Sequence, residues 1–174
     1  MKAAAVKYPG KSASEESSRV REEVPSIVKR SGKGVVGYYV HEFGGKIARG
    51  GISPTRLIQA IQGGLPFQEL EELQISLDIP MDKLAPKLGM SKATLHRRKL
   101  SGKLDSGESD RLVRFARLMG KAIEVMESEE NGRQWLTSTQ VGLGGAVPLD
   151  YAETEVGARE VEDLLGRIEY GVYG

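Results

Sequence analysis

The chain has 174 residues, 39% of them apolar and 28% charged, with a formal net charge of +1. That balance suits one or two small packed cores, and no apolar run approaches the roughly 20 residues a bilayer span needs. It holds no cysteine, which excludes disulfides and thiolate metal sites and suits a reducing compartment, so a cytoplasmic location is expected.

The apolar stretch Ala3 to Val6 is cut short by Lys7, Tyr8, Pro9 and Gly10 before it can serve as a secretory core, so export is not expected. Residues 1–34 carry eight Lys/Arg, four Glu and scattered Ser without a strong apolar period. That is the composition of a flexible arm, with a short helix possible near residues 22–28. Residues 35–40 contain β-favouring side chains, but Gly37, Gly44-Gly45 and Gly50-Gly51 break the pattern. A loop or short isolated strand is expected there, with the arm spanning residues 1–50.

From Ser53 the signals are helical. Ser53 at the N-cap, Pro54 after it, and Leu57, Ile58 and Ile61 on one face predict a helix that Gly63-Gly64 stops. A second begins near Pro66 and places Phe67, Leu70, Leu73 and Leu77 at three- and four-residue spacing until Ile79-Pro80. Further on, residues 105–127 form a longer amphipathic helix through Leu112, Phe115, Ala116, Met119, Ile123 and Met126, with a bend possible at Gly120. Beyond Asn131-Gly132, Trp135 and Leu136 mark a short helix with Trp135 as core anchor, and residues 141–148 are too glycine-rich to be regular. A last helix over residues 154–170 carries Val161, Leu164, Leu165 and Ile168 at i, i+3, i+4 and i+7. The fold class predicted is therefore all-α.

Residues 81–104 hold seven Lys/Arg against one acid, Asp82, a local charge of +6; residues 105–174 hold seven against fourteen, a local charge of −7. The basic segment reads as a helix-turn-helix. Such a motif needs a small residue where its helices cross, a glycine able to take a left-handed turn, and apolar anchors on both sides. Ala85, Gly89 and the pair Leu88 and Leu95 supply them. Ser91 then caps a second helix that presents Lys92, Thr94, His96, Arg97, Arg98 and Lys99, a basic face of the kind that enters the major groove. Pro86, inside the first helix, costs up to about 3 kcal/mol if it falls in a helix interior. The competing reading of this segment is an ordinary helical hairpin with a solvated charged side.

Other patterns carry less. Gly32, Gly34 and Gly37 match G-x-G-x-x-G, but no buried strand precedes them and no acid lies between Glu42 and Glu69, so no dinucleotide site is expected. His41 and His96 lack metal-ligand spacing, no nucleophile elbow is present, and Glu127, Glu129 and Glu130 read as a solvated helix end. No catalytic residue, metal or cofactor is expected.

The C-terminal half carries a family resemblance. Arg114-Phe115-Ala116-Arg117-Leu118-Met119, Trp135-Leu136, Leu143-Gly144-Gly145, Pro148-Leu149-Asp150, Thr154, Gly157, Val161, Leu165, Arg167-Ile168 and Tyr170-Gly171 follow one another in order. With the helix-turn-helix, residues 53–174 resemble the Xre/MbcA/ParS-type antitoxins. One departure stands before Leu143, where Thr139-Gln140-Val141-Gly142 replaces an expected Pro-Asn pair.

The resemblance implies a DNA-binding domain over residues 51–108 and a toxin-binding domain over residues 109–174. It implies a protein that represses its operon through operator DNA and neutralises a RES-domain, NAD-degrading toxin; a homodimer is expected because one helix reads one half-site and two-fold sites are the common solution. A −7 half repelled by DNA suits a basic partner. The toxin contacts expected are Arg167, Tyr170, Gly171, Val172, Tyr173 and Gly174, the aromatic and glycine residues of the tail plugging a pocket that normally admits a nucleotide; a frayed terminus is the other reading of that tail. The alternative for the whole chain is a dimeric helix-turn-helix transcriptional regulator whose C-terminal domain serves dimerisation or a non-toxin partner.

Overall fold

The computed structural model describes residues 34–42 and 52–172. In chain order the helices are α1 (Val35–Gly37), which runs into a π-helical turn (Tyr38–Glu42), α2 (Pro54–Gly63), α3 (Phe67–Leu77), α4 (Met81–Lys87), α5 (Lys92–Ser101), α6 (Ser106–Met126), α7 (Glu129–Thr137), a 3₁₀ turn (Val141–Leu143), α8 (Pro148–Tyr151) and α9 (Glu155–Glu169). Among the described residues there is no β-strand; isolated bridges join Pro66 to Lys103 and Gln140 to Ala146. The all-α expectation holds.

Residues 35–42 correct the sequence reading. They are helical rather than loop or strand, and they are packed rather than part of a free arm. Val35, Val36 and Val40 are buried, with α1 against α3 and α6 and the π turn against α6. The cause is a carboxylate. Buried Glu69 on α3 accepts the Val35 amide at 2.8 Å and the Val36 amide at 2.9 Å, satisfying donors that a helix start leaves without partners. The same contact explains why the glycine pattern at Gly34 and Gly37 is no phosphate cradle: a protein carboxylate already takes the amides. The helix expected near residues 22–28 lies outside the described residues.

α2 and α3 occupy the predicted spans, but Ser53 holds the N-cap position without a side-chain bond and Ile58, expected on one face with Leu57 and Ile61, is exposed. Gly64 ends α2 with φ +81°, and Phe67, Leu70, Leu73 and Leu77 are all buried. α3 stops at Leu77, where Asp78 takes a left-handed cap. Pro86 is tolerated because its helix is short and its place is peripheral. Proline removes the donor that would meet the Asp82 carbonyl, and both residues are exposed, so water reaches the orphan acceptor.

α6 organises the rest, packing against α1, the π turn, α2, α3, α7 and α9. It runs unbroken through Gly120, and Leu112, Phe115, Ala116, Leu118, Met119 and Ala122 along it are fully buried. The boundary expected between residues 108 and 109 falls inside it, and the buried apolar residues of both halves form one cluster.

Asn131 and Gly132, read as a break before the next helix, lie within α7. The glycine is there for clearance against α6, not for a turn. The glycine-rich stretch after Trp135 is ordered around Gln140: its amide donates to Ala146 O (3.0 Å), its carbonyl accepts from Leu143 and Gly145 (3.1 and 2.9 Å), and its side chain donates to Trp135 O (2.9 Å). Gln140 thus closes the loop where the family resemblance led to the expectation of Pro-Asn. α9 fills the predicted span but for its end residues, and Thr154, expected as its first residue, caps it by accepting the Gly157 amide at 3.1 Å.

A candidate nucleic-acid interface and a C-terminal partner face

The turn between α4 and α5 is built as the motif requires. Leu84, Ala85 and Leu88 are buried, and the Met90 amide returns to Ala85 O at 2.9 Å. Gly89 makes that return possible at φ +75°, where a side chain is strained. Arg111 of α6 supports the turn from below, donating from Nη1 to Leu88 O at 3.1 Å. Ser91 caps α5 by accepting the Thr94 amide at 3.1 Å.

No residue of α5 is buried. Leu95 is half-buried against the core, Thr94 and Arg98 are half-buried beside it, and the other residues of the helix are exposed. Ser91, Lys92, His96, Arg97 and Lys99 are exposed and Thr94 is half-buried. Among the described residues no acid pairs with Lys92, Arg97 or Lys99. Arg98 differs from its neighbours: it is turned toward the start of α6 and held between Glu108 and Asp105. Hydrogen bonding to Glu108 raises its pKa further. At Asp105 burial pushes upward, but the Glu108 amide and the Arg98 guanidinium outweigh it and hold the carboxyl below its ordinary range.

The second face belongs to α9. One side is fastened to α6 by ion pairs, with Arg114 to Glu155 at 3.0 Å, Arg117 to Glu162 at 2.7 Å and Lys121 to Glu169 at 2.7 Å. The other side carries Val156, Glu160, Asp163, Arg167 and Tyr170 at helical spacing, all exposed. Val156 is 73% exposed and Tyr170 79%. Of the stripe that periodicity predicts for α9, Val161 and Leu165 are buried and Leu164 and Ile168 only half-buried; the same periodicity passes over Val156, and only its position opposite Val161 and Leu165 marks it out.

Past α9, Gly171 turns at φ +66°. The Gly171 amide reaches Ile168 O at 3.1 Å and the Val172 amide reaches Arg167 O at 2.9 Å. Tyr170 and Val172 are therefore displayed on a closed turn; Tyr173 and Gly174 lie outside the described residues. A groove of about 780 Å³ between α4, α7 and α8 is lined in part by Lys83, Lys87, Glu130, Arg133 and Asp150; Lys87 pairs with Asp150 across it, and Arg133 pairs with Glu130 along α7.

Comparison with known proteins matches these two units. Residues 56–117 match the Antitoxin Xre-like helix-turn-helix domain, and residues 121–171 match the Antitoxin Xre/MbcA/ParS C-terminal toxin-binding domain. The chain is 31% identical over 121 residues to Antitoxin Xre of Yersinia enterocolitica, covering 68% of this chain and 82% of that protein. The chain belongs to the Xre/MbcA/ParS family of antitoxins.

Antitoxin Xre of Photorhabdus laumondii is 38% identical over 72 residues, which is 41% of this chain and 49% of that protein. A Prs ADP-ribosylating antitoxin of Sphingobium is 24% identical over 131 residues, 70% of this chain and 82% of that protein. This antitoxin of a toxin–antitoxin system thus pairs a helix-turn-helix with a C-terminal toxin-binding domain, and α6 belongs to both. No described helix is long and apolar enough to cross a membrane.

Proposed function

We propose that this antitoxin neutralises a RES-domain, NAD-degrading toxin through the outer face of α9 and the residues after it, and represses its own operon by laying α5 in the major groove. The observation that carries the DNA part is an exposed basic helix with no buried residue, whose Lys92, Arg97 and Lys99 have no acidic partner among the described residues. Surface cations are ordinarily paired or scattered; here they share one helix at the site where the motif offers its reading face. Ser91, Thr94 and His96 complete the contact set with hydroxyl and imidazole groups suited to phosphate and base edges. One helix reads one half-site, so a homodimer on a two-fold operator follows.

On the toxin side, Arg167 and Tyr170 at the end of α9, with Gly171 and Val172 in the turn after it, form the displayed contact, and Tyr173 and Gly174, next in the sequence, belong to the same set. The Sphingobium relative's name supplies a related chemistry, since ADP-ribosylation draws its ADP-ribose from NAD.

Two measurements test the proposal. Titrating a duplex from the antitoxin's own promoter, Arg97→Ala is expected to weaken specific binding by about 1–3 kcal/mol, with affinity falling steeply as salt rises. Unchanged binding would remove α5 as the reading helix. For the toxin, the product of the neighbouring gene is co-purified with the antitoxin and its NAD consumption is followed, with and without residues 171–174. Full protection by the truncated chain removes the tail from the toxin contact; ADP-ribose appearing on protein rather than free in solution replaces NAD degradation with transfer. A neighbour that neither binds nor consumes NAD leaves the C-terminal domain to another partner.

A further inference from the structure

The junction of α5 and α6 holds a polar cluster that neither proposed face uses. Arg98 Nε donates to both oxygens of Glu108, at 3.0 and 2.7 Å, and Nη2 donates to Asp105 Oδ2 at 2.6 Å. The same acids start α6 as a capping box: the Glu108 amide donates to Asp105 Oδ1 at 2.8 Å, and the Asp105 amide donates to Glu108 Oε2 at 2.9 Å. The Glu108 side chain is 5% exposed and that of Arg98 19%. One buried carboxylate therefore both begins α6 and holds the middle of α5.

Packing alone gives α5 little orientation. It contributes no buried residue, Leu100 is 77% exposed, and Leu95, half-buried, is its single apolar contact with the core among the described residues. Its C-terminal end is tied by backbone, with the Phe67 amide donating to Gly102 O at 2.9 Å and the Leu104 amide to Leu65 O at 2.8 Å. A helix fastened at one end and capped at the other still has a tilt to set. The Arg98 fork, fixed on two carboxylates that are themselves fixed by α6 amides, sets it.

We infer that Arg98 is a positioning residue for DNA recognition: its clamp on Glu108 and Asp105 holds α5 at the angle that offers Lys92, His96, Arg97 and Lys99 to the groove, and Arg98 itself touches neither phosphate nor base. The inference rests on the DNA-binding reading above. It separates Arg98 from adjacent Arg97 on geometry, where sequence alone groups them.

The test compares Arg98→Met, Arg98→Lys, Glu108→Gln and the double variant Arg98→Met/Glu108→Gln on the promoter duplex and on a scrambled duplex of equal length. Gln at residue 108 keeps a capping acceptor and loses only the charge, so the fold survives, and melting temperatures check this. Arg98→Met and Glu108→Gln are each expected to weaken promoter binding roughly fivefold or more, the double variant no further than the worse single, and Arg98→Lys to recover part of the loss. The slope of log affinity against log salt stays at the wild-type value in all four.

A slope reduced by about 0.9 in Arg98→Met, beside a silent Glu108→Gln, overturns the inference, because that is the signature of a lost phosphate contact. If the wild type does not favour the promoter duplex, the DNA reading itself fails. Hydrogen exchange without DNA then judges the clamp alone: faster exchange of α5 amides in Arg98→Met retains it, and unchanged exchange removes it.

Discussion

Gly132 sits where α7 crosses α6, and a Cβ built there lies 2.8 Å from Ile123 N and 3.0 Å from Ala122 C, both backbone atoms that no rotamer change can move. Gly132→Ala is therefore expected to push the helices apart and lower stability by about 1–3 kcal/mol in urea unfolding. Gly63→Ala is the control, since nothing lies within 4 Å of its Cβ, and it is expected to be neutral or slightly stabilising. Equal behaviour of the two variants would show that the α6–α7 approach is not what requires glycine.

Residue-level signals in the sequence divide along the same line. Ser91 and Gly89 declare their roles because caps and turns are local chemistry. Gly132 does not, because close approach depends on a helix some ten residues away.

Helices with a strong apolar period, α3, α6 and α9, are legible because one stripe must face a core. Residues 35–42 are not, because the element that stabilises them is a carboxylate 33 or 34 positions downstream, on a helix whose acids otherwise look solvated. Burial is the largest influence on Glu69 and raises its pKa, with the Val36 and Val35 amides pulling the other way. A carboxyl whose folded pKa stands above its unfolded value binds its proton more tightly in the folded chain. Its contribution to stability is full below the unfolded value, about 4.3, and is lost as pH rises through the folded one. The stability of wild type relative to Glu69→Gln is thus expected to decline as pH climbs from about 4 toward neutrality, read as urea midpoints at each pH. A wild-type advantage that grows with pH would mean that the two amides, which favour the charged carboxylate, outweigh its burial.

At the scale of the molecule, family resemblance divides the chain into two units, whereas packing joins them. The order of motifs is legible because each is local; the shared core is not, because periodicity shows that a helix has a buried stripe without saying whose. α6 supplies Leu112, Phe115, Ala116 and Met119 to a core that also takes Leu65, Leu70, Leu73, Leu84 and Leu88 from one side and Leu136, Leu149, Val161 and Leu165 from the other. Lys87 at the end of α4 pairs with Asp150 and, at 3.4 Å, Glu153, and Arg133 of α7 donates to Ser76 O of α3 at 3.0 Å, so polar contacts cross the same seam.

A fragment of residues 51–108 keeps the whole helix-turn-helix but loses nearly all of α6. It is expected to be largely unfolded by circular dichroism and to bind promoter DNA only non-specifically, since α5 then has charge without orientation. Residues 34–172 are expected to melt in one transition with coincident helical and tryptophan signals, because Trp135 packs on the shared core. Two separated transitions, or a folded and specific 51–108 fragment, would mean that the junction through α6 is a contact between independent domains.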